Sequence, residues 1–187
     1  LSLLTLLKSG NNRLLVPAGT FIMAILGSVY VYLPGNDGHT HRMTVQSDYL
    51  NMTIIDFFSA FVKLLTFSET QLGLSDPYLH VLAFISGGLF GIPELLHVFS
   101  SLIYGLIYFS IIRILFTHLT WPKGLSLILS LFIVFFIYRG ISGLNSIRWW
   151  TALWLMLYSF LAYWHYGKKK YLLFAMLSIY VHFSFMA

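Results

Sequence analysis

Of 187 residues, 58% are hydrophobic and only 9% charged, so each ionisable side chain set in apolar sequence is a candidate for chemistry. Such groups are costly at membrane depth and are kept mostly where they work. Arg148 stands just before the apolar run Trp149 to Trp164, and His182 lies near the end of the next apolar run. A guanidinium fork matches the oxygens of a phosphate, and backbone N–H groups at a helix start point the same way. An imidazole can act as general base or hold a hydroxyl group. Arg139 offers a second guanidinium nearby, and Asp37, in Gly35-Asn36-Asp37, puts a carboxylate at a glycine turn. Each has an ordinary alternative. Arg148 can snorkel to headgroups, His182 can be a satisfied structural residue, and Asp37 can serve its own turn. Asp76, in Asp76-Pro77-Tyr78, can simply cap the short segment that follows.

Other chemistries find little support. The chain has no cysteine, which removes disulfides, thiolate metal sites and cysteine nucleophiles. His39 and His41 with Asp37 form a thin metal motif, because no further ligand is placed by spacing. No phosphate-binding glycine loop, HExxH helix or serine elbow is present, so no metal or cofactor is expected. The net charge of +5 reads as loop bias in a membrane protein rather than as a nucleic-acid surface.

The elements that must position these residues are apolar runs without period-2 alternation, which predicts an all-α, polytopic helical membrane protein. Leu14 to Leu33 is long enough to cross, and Lys8 and Arg13 place its start on the cytoplasmic side. The loop that follows holds five of the six acids, Asp37, Asp48, Asp56, Glu69 and Asp76, and is assigned outside. Within it, Thr53 to Thr66 sets Asp56, Ser59, Lys63 and Thr66 along one helix face against apolar neighbours, which predicts a helix lying in the interface plane. Thr53-x-x-Asp56 matches a capping box that would start it. Asn51-Met52-Thr53 also matches a glycosylation acceptor, a pattern short enough to arise by chance.

Tyr78 to Ile92 is short for a span and carries Gly87, Gly88 and Gly91, so it is expected to be re-entrant. The charges agree: Arg113, Lys123 and Lys168 to Lys170 then fall on the cytoplasmic side. Leu95 to Phe116 crosses inward, Leu125 to Tyr138 outward, Trp149 to Trp164 inward, and the last helix rises from Tyr171. Gly140 to Asn145 breaks the chain at the outer face. This topology gathers Asp37, Asp76, Arg139, Arg148 and His182 on one side. The whole of 1–187 is expected to be one membrane domain, incomplete at both ends.

Three short motifs in this order resemble the EpsG family of Wzy-like exopolysaccharide and O-antigen polymerases. They are Gly35-Asn36-Asp37; Asp76-Pro77-Tyr78; and Arg148-x-x-x-Ala152, followed beyond Lys168-Lys169-Lys170 by His182-x-Ser184. The chain departs from that pattern at Leu33, Pro34 and His39 around the turn, and at Trp149, where the family usually has a polar residue. The resemblance implies a bacterial inner-membrane enzyme, multi-pass, that transfers a glycan from an undecaprenyl-diphosphate carrier to a lipid-linked repeat unit. Asp37 and His182 would be catalytic, and Arg148, Arg139, Asp76, Tyr78 and Ser184 would bind substrate. Lipid-linked oligosaccharide, membrane lipids and other polysaccharide-assembly proteins are the implied partners. A transporter or flippase binding the same anionic lipid head is the main alternative; a membrane acyltransferase using His182 as base is a second, without an acidic partner beside it in sequence.

Overall fold

A computed structural model describes residues 14–68, 72, 76–118 and 146–183. Among these the fold is all-α, with no strand. The first helix, α1 (Leu15–Ser28), packs along the longest, α5 (Leu95–His118), and α5 in turn packs on α6 (Ile147–Tyr166). Close approach of α1 and α5 depends on small residues: a Cβ at Gly19 would fall 2.4 Å from the Phe109 ring, and one at Gly105 would fall 2.9 Å from Met23. Leu15, Met23, Tyr108, Ile112 and Trp154 form the centre of this three-helix core, where Trp154 Nε1 donates to the Tyr104 hydroxyl at 3.0 Å.

A second, smaller core holds the polar-side elements. It is built from α2 (Asp37–Thr44), which continues as a wider π-type turn over Val45–Tyr49, and from α4 (Pro77–Ala83), which continues likewise over Phe84–Leu89. Val45, Tyr49, Leu79, Phe84 and Leu96 meet there. Helix α3 (Ile54–Leu65) lies against it through Phe57 and Phe61, which stack with His80. The expected capping box is formed: Thr53 Oγ1 accepts from the Asp56 amide at 3.2 Å and the Asp56 carboxylate accepts from the Thr53 amide. The other side of α3 presents Ile55, Phe58 and Val62 to the surroundings.

One boundary differs from expectation. The run Leu14 to Leu33 is helical only to Ser28, a length of about 21 Å at 1.5 Å per residue. The chain leaves the helix because Tyr30 and Tyr32 dock on α5 instead of continuing it: Tyr30 stacks on His97 at 4.4 Å, and Tyr32 Oη lies 3.2 Å from His97 Nδ1. Among the described residues, Leu95–Leu115 is the one stretch long and apolar enough to cross a membrane by itself; Leu15–Ser28 and Pro77–Leu89 are apolar but shorter. The glycine-bearing segment forms a short apolar helix over Pro77–Leu89. Asp76 at its start bonds Arg148, and Glu94 just past its end bonds Arg42. The neighbour of Arg42, His41, is close enough to Arg148 to feel its charge. Both ends of the segment therefore lie near charged residues of one neighbourhood.

Helix α6 turns back at Gly167, in the left-handed conformation, through the exposed Lys168 and a 3₁₀ turn over Lys169–Tyr171, into α7 (Leu172–Val181). Ser159 Oγ donates to the Tyr171 carbonyl at 2.6 Å. This antiparallel register returns the end of α7 to the level of the start of α6. Glu69, Lys123, the segment Leu125 to Tyr138 and the Gly140 to Asn145 break lie outside the described residues.

Candidate functional site

The site is assembled from four chain segments, at Asp37, Asp76, Ser146 to Trp150 and His182. Asp76 precedes α4 and is 2% exposed. It does not cap that helix with its side chain; its Oδ2 instead accepts a hydrogen bond from Arg148 Nη1 on the first turn of α6. A carboxylate this buried needs a paired cation, and the guanidinium in turn gains a fixed orientation. Arg148, Asp37 and His182 then line one cavity of about 300 Å³, together with Ser146, Trp149 and Trp150. Hence four of the residues selected from sequence, Asp37, Asp76, Arg148 and His182, come together. Arg139 and Ser184 lie outside the described residues.

The Asp37 turn is held by α5. Gly35 takes a left-handed φ of +86°, which lets the chain reverse between the extended segment and α2. Gly38 rests on the His97 and Tyr30 rings: a Cβ there would fall 2.8 Å from His97 Nε2 and 2.7 Å from the Tyr30 hydroxyl. Three residues before His97, Glu94 Oε1 accepts from Arg42 Nε at 2.9 Å and from Arg42 Nη2 at 2.5 Å. The Arg42 guanidinium also lies over the Tyr32 ring, 4.9 Å from its centroid. Glu94 and the first turn of α5 thus fix both sides of the turn that carries Asp37, which itself remains exposed.

His182 follows the last residue of α7 with extended backbone, so its ring leaves the helix stack and reaches the cavity. Burial lowers its pKa below the ordinary histidine value; Asp76 opposes that shift and Arg148 reinforces it. The result is a neutral imidazole at physiological pH, able to take a proton. His41, on α2, is a member of this charge cluster that the sequence reading placed only in a thin metal motif. Burial first, and then the Arg148 charge, hold its pKa down at about 4. No group of three or more His, Asp or Glu side chains that could hold a metal converges among the described residues. Spacing from Asp37 could have drawn attention to His41, since i and i+4 share a helix face. Nothing in the sequence marked Ser146.

Tyr78 does not belong to the charged cavity. It lines a larger apolar groove of about 620 Å³ whose walls come from five helices, including Phe61, Leu82, Ile107, Leu155 and Leu177. The Tyr78 hydroxyl is turned toward Thr151 and Ser100 but is out of hydrogen-bond geometry with both. The groove adjoins the charged cavity at two places in the chain: Val181 precedes His182, and Thr151 lies one helical turn after Arg148. Pro77 also follows Asp76, the partner of Arg148. Set against protein-family models, curated proteins and solved structures, the chain gives no match.

Proposed function

We propose that this chain belongs to a bacterial membrane polysaccharide polymerase that acts at the outer face of the inner membrane, a multi-pass protein in which α3 lies in the headgroup region and the Pro77–Leu89 segment is re-entrant. The observation that supports it is the junction of a small charged cavity with a long apolar groove. An amphiphile with an anionic head and a long hydrocarbon tail fits that pair of surfaces, and a polyprenyl-diphosphate-linked glycan has that form. The exposed apolar side of α3 and the absence of charge along the groove suit access from lipid.

In this reading Arg148, oriented by Asp76, faces the diphosphate of the donor, and the start of α6 adds backbone N–H groups. The acceptor hydroxyl oxygen bonds to the anomeric carbon as the bond from that carbon to the diphosphate oxygen breaks. The electron pair departs with the diphosphate, where positive charge is worth most. The hydroxyl proton passes to Asp37 or to the neutral His182. The products are a glycan longer by one unit and a free polyprenyl diphosphate.

The test is glycan length on a ladder gel from cells lacking the polymerase, complemented with the full-length protein at matched membrane expression. Arg148→Ala is expected to leave only single repeat units, Arg148→Lys to restore a short ladder, and His182→Ala to shorten it. A normal ladder from Arg148→Ala would remove the polymerase site assigned here. Purified protein that only changes the sidedness of labelled lipid-linked units, without lengthening them, would instead identify a flippase.

A further inference from the structure

We infer that Trp149 and Ser146 form a pyranose-binding subsite beside Asp37, with the indole as the platform for the apolar C–H face of a sugar ring. This deepens the polymerase reading, on which its biological role rests, by giving the cavity a sugar-recognition surface.

Consecutive helix residues start out about 100° apart, yet the Trp149 and Trp150 rings meet, with planes at 87° and centroids 4.9 Å apart. Trp150 packs against the three-helix core. Its ring therefore holds Trp149 edge to face, and Trp149 itself is 37% exposed and lines the cavity. A rigid, amphipathic aromatic of this kind gives contact area at small entropic cost. Serine is a favoured N-cap because its hydroxyl usually accepts from the helix start. Ser146 occupies the N-cap position of α6, yet its side chain makes no capping bond; it lines the same cavity.

The lining thus combines the exposed indole of Trp149, braced by Trp150, with a carboxylate and a hydroxyl, which can accept hydrogen bonds from ring hydroxyls, and with Arg148 and His182. A pyranose has both required surfaces, an apolar C–H face and a rim of hydroxyls. A hydrocarbon chain would instead fill the larger apolar groove. An interfacial tryptophan needs none of these neighbours. Trp164, near the other end of the same helix and 71% exposed, supplies that comparison.

The experiment is saturation-transfer NMR on the full-length protein in lipid nanodiscs, with the methyl glycosides of glucose, galactose, mannose and N-acetylglucosamine as probes. At least one glycoside is expected to show saturation concentrated on the C–H protons of one ring face. That signal should fall about fivefold in Trp149→Ala, the scale of one lost aromatic contact, and persist in Trp149→Phe and Trp164→Ala. Ser146→Ala should weaken it less. Saturation no stronger than with empty nanodiscs, an equal signal in Trp149→Ala, or an equal loss in Trp164→Ala would overturn the subsite. Trp149→Phe guards against misfolding, since it keeps a ring against Trp150. The two proposals fail separately: loss of the ladder in Arg148→Ala with no Trp149-dependent saturation removes the subsite alone, and the reverse pattern removes the polymerase alone.

Discussion

His80 and Arg148 are both polar side chains held in apolar surroundings, and they differ in what those surroundings leave unsatisfied. The His80 ring is fully buried, with Nδ1 at 2.7 Å from the Tyr49 hydroxyl and Nε2 at 3.1 Å from the Phe57 carbonyl. The Phe57 ring lies flat over it at 4.8 Å. Both nitrogens are spent, and His80 lines neither the charged cavity nor the apolar groove. Arg148 satisfies one carboxylate and still borders a cavity shared with Asp37 and His182. Burial of an ionisable group therefore does not by itself mark a working site. Unspent hydrogen-bonding capacity next to open volume does, and Arg148 has it where His80 does not.

The strongest way to break this contrast is to ask whether Arg148 is only a counter-ion. Arg148→Met strands the Asp76 carboxylate and is expected to cost about 3–5 kcal/mol of stability. Arg148→Met combined with Asp76→Leu removes both charges and should recover most of that loss, as read by thermal melting in detergent. If Arg148 works on a substrate, the double variant melts near wild type and still makes no ladder. A double variant that polymerises would reduce Arg148 to the class of His80.

The charge cluster also predicts a pH dependence. His41 is held near pKa 4 in the folded chain by burial and by Arg148, against about 6.5 when unfolded. Between those values the unfolded chain binds a proton that the folded chain does not, so stability is complete above about pH 6.5 and falls as the pH drops toward 4, by up to about 3 kcal/mol. In His41→Gln the fall across this window should flatten. An unchanged pH slope would mean that His41 is not in this electrostatic group.

His80 gives the next effect in size. His80→Phe keeps a ring against Phe57 but leaves the Tyr49 hydroxyl unpaired, a cost of about 1–3 kcal/mol. Glycan length per folded molecule should not change. A shortened ladder at unchanged melting temperature would place His80 among the working residues and dissolve the comparison.

What could be read from the sequence follows from the range of the interactions. Helix α3 was legible to within a residue because its signals are local, a Thr53 and Asp56 box at the start and a 3,4 spacing of polar residues along it. The meeting of Asp76 with Arg148 followed from a charge-based topology, since residues 72 apart can be brought together only by deciding which ends share a side. The end of α1 was not legible, because it is set by Tyr30 and Tyr32 docking on His97, a contact whose partners lie 65 residues or more apart. Which cavity Tyr78 lines was not legible for a related reason. Its neighbour Asp76 carries a charge that topology can place, whereas the direction of Tyr78 is decided by packing against α5 and α6.

The smallest effect sharpens the contrast from the lipid side. Helix α3 touches the closed polar site through Phe57 and the groove through Phe61 and Leu65, so loosening its start should disturb the groove wall without touching the charged cavity. Thr53→Ala removes the hydroxyl that accepts from the Asp56 amide and is expected to cost about 1 kcal/mol. Amide exchange at Ile55 to Phe57 should quicken several-fold, while α5 and α6 keep their protection. With α3 fraying, the rate of ladder growth should fall most at low concentration of lipid-linked donor and recover when donor is raised, the signature of weaker entry rather than impaired chemistry. A fall that persists at high donor would mean that α3 acts on the reacting groups, through contacts that run from Phe57 across His80 to Tyr49, at the end of the segment that Asp37 begins.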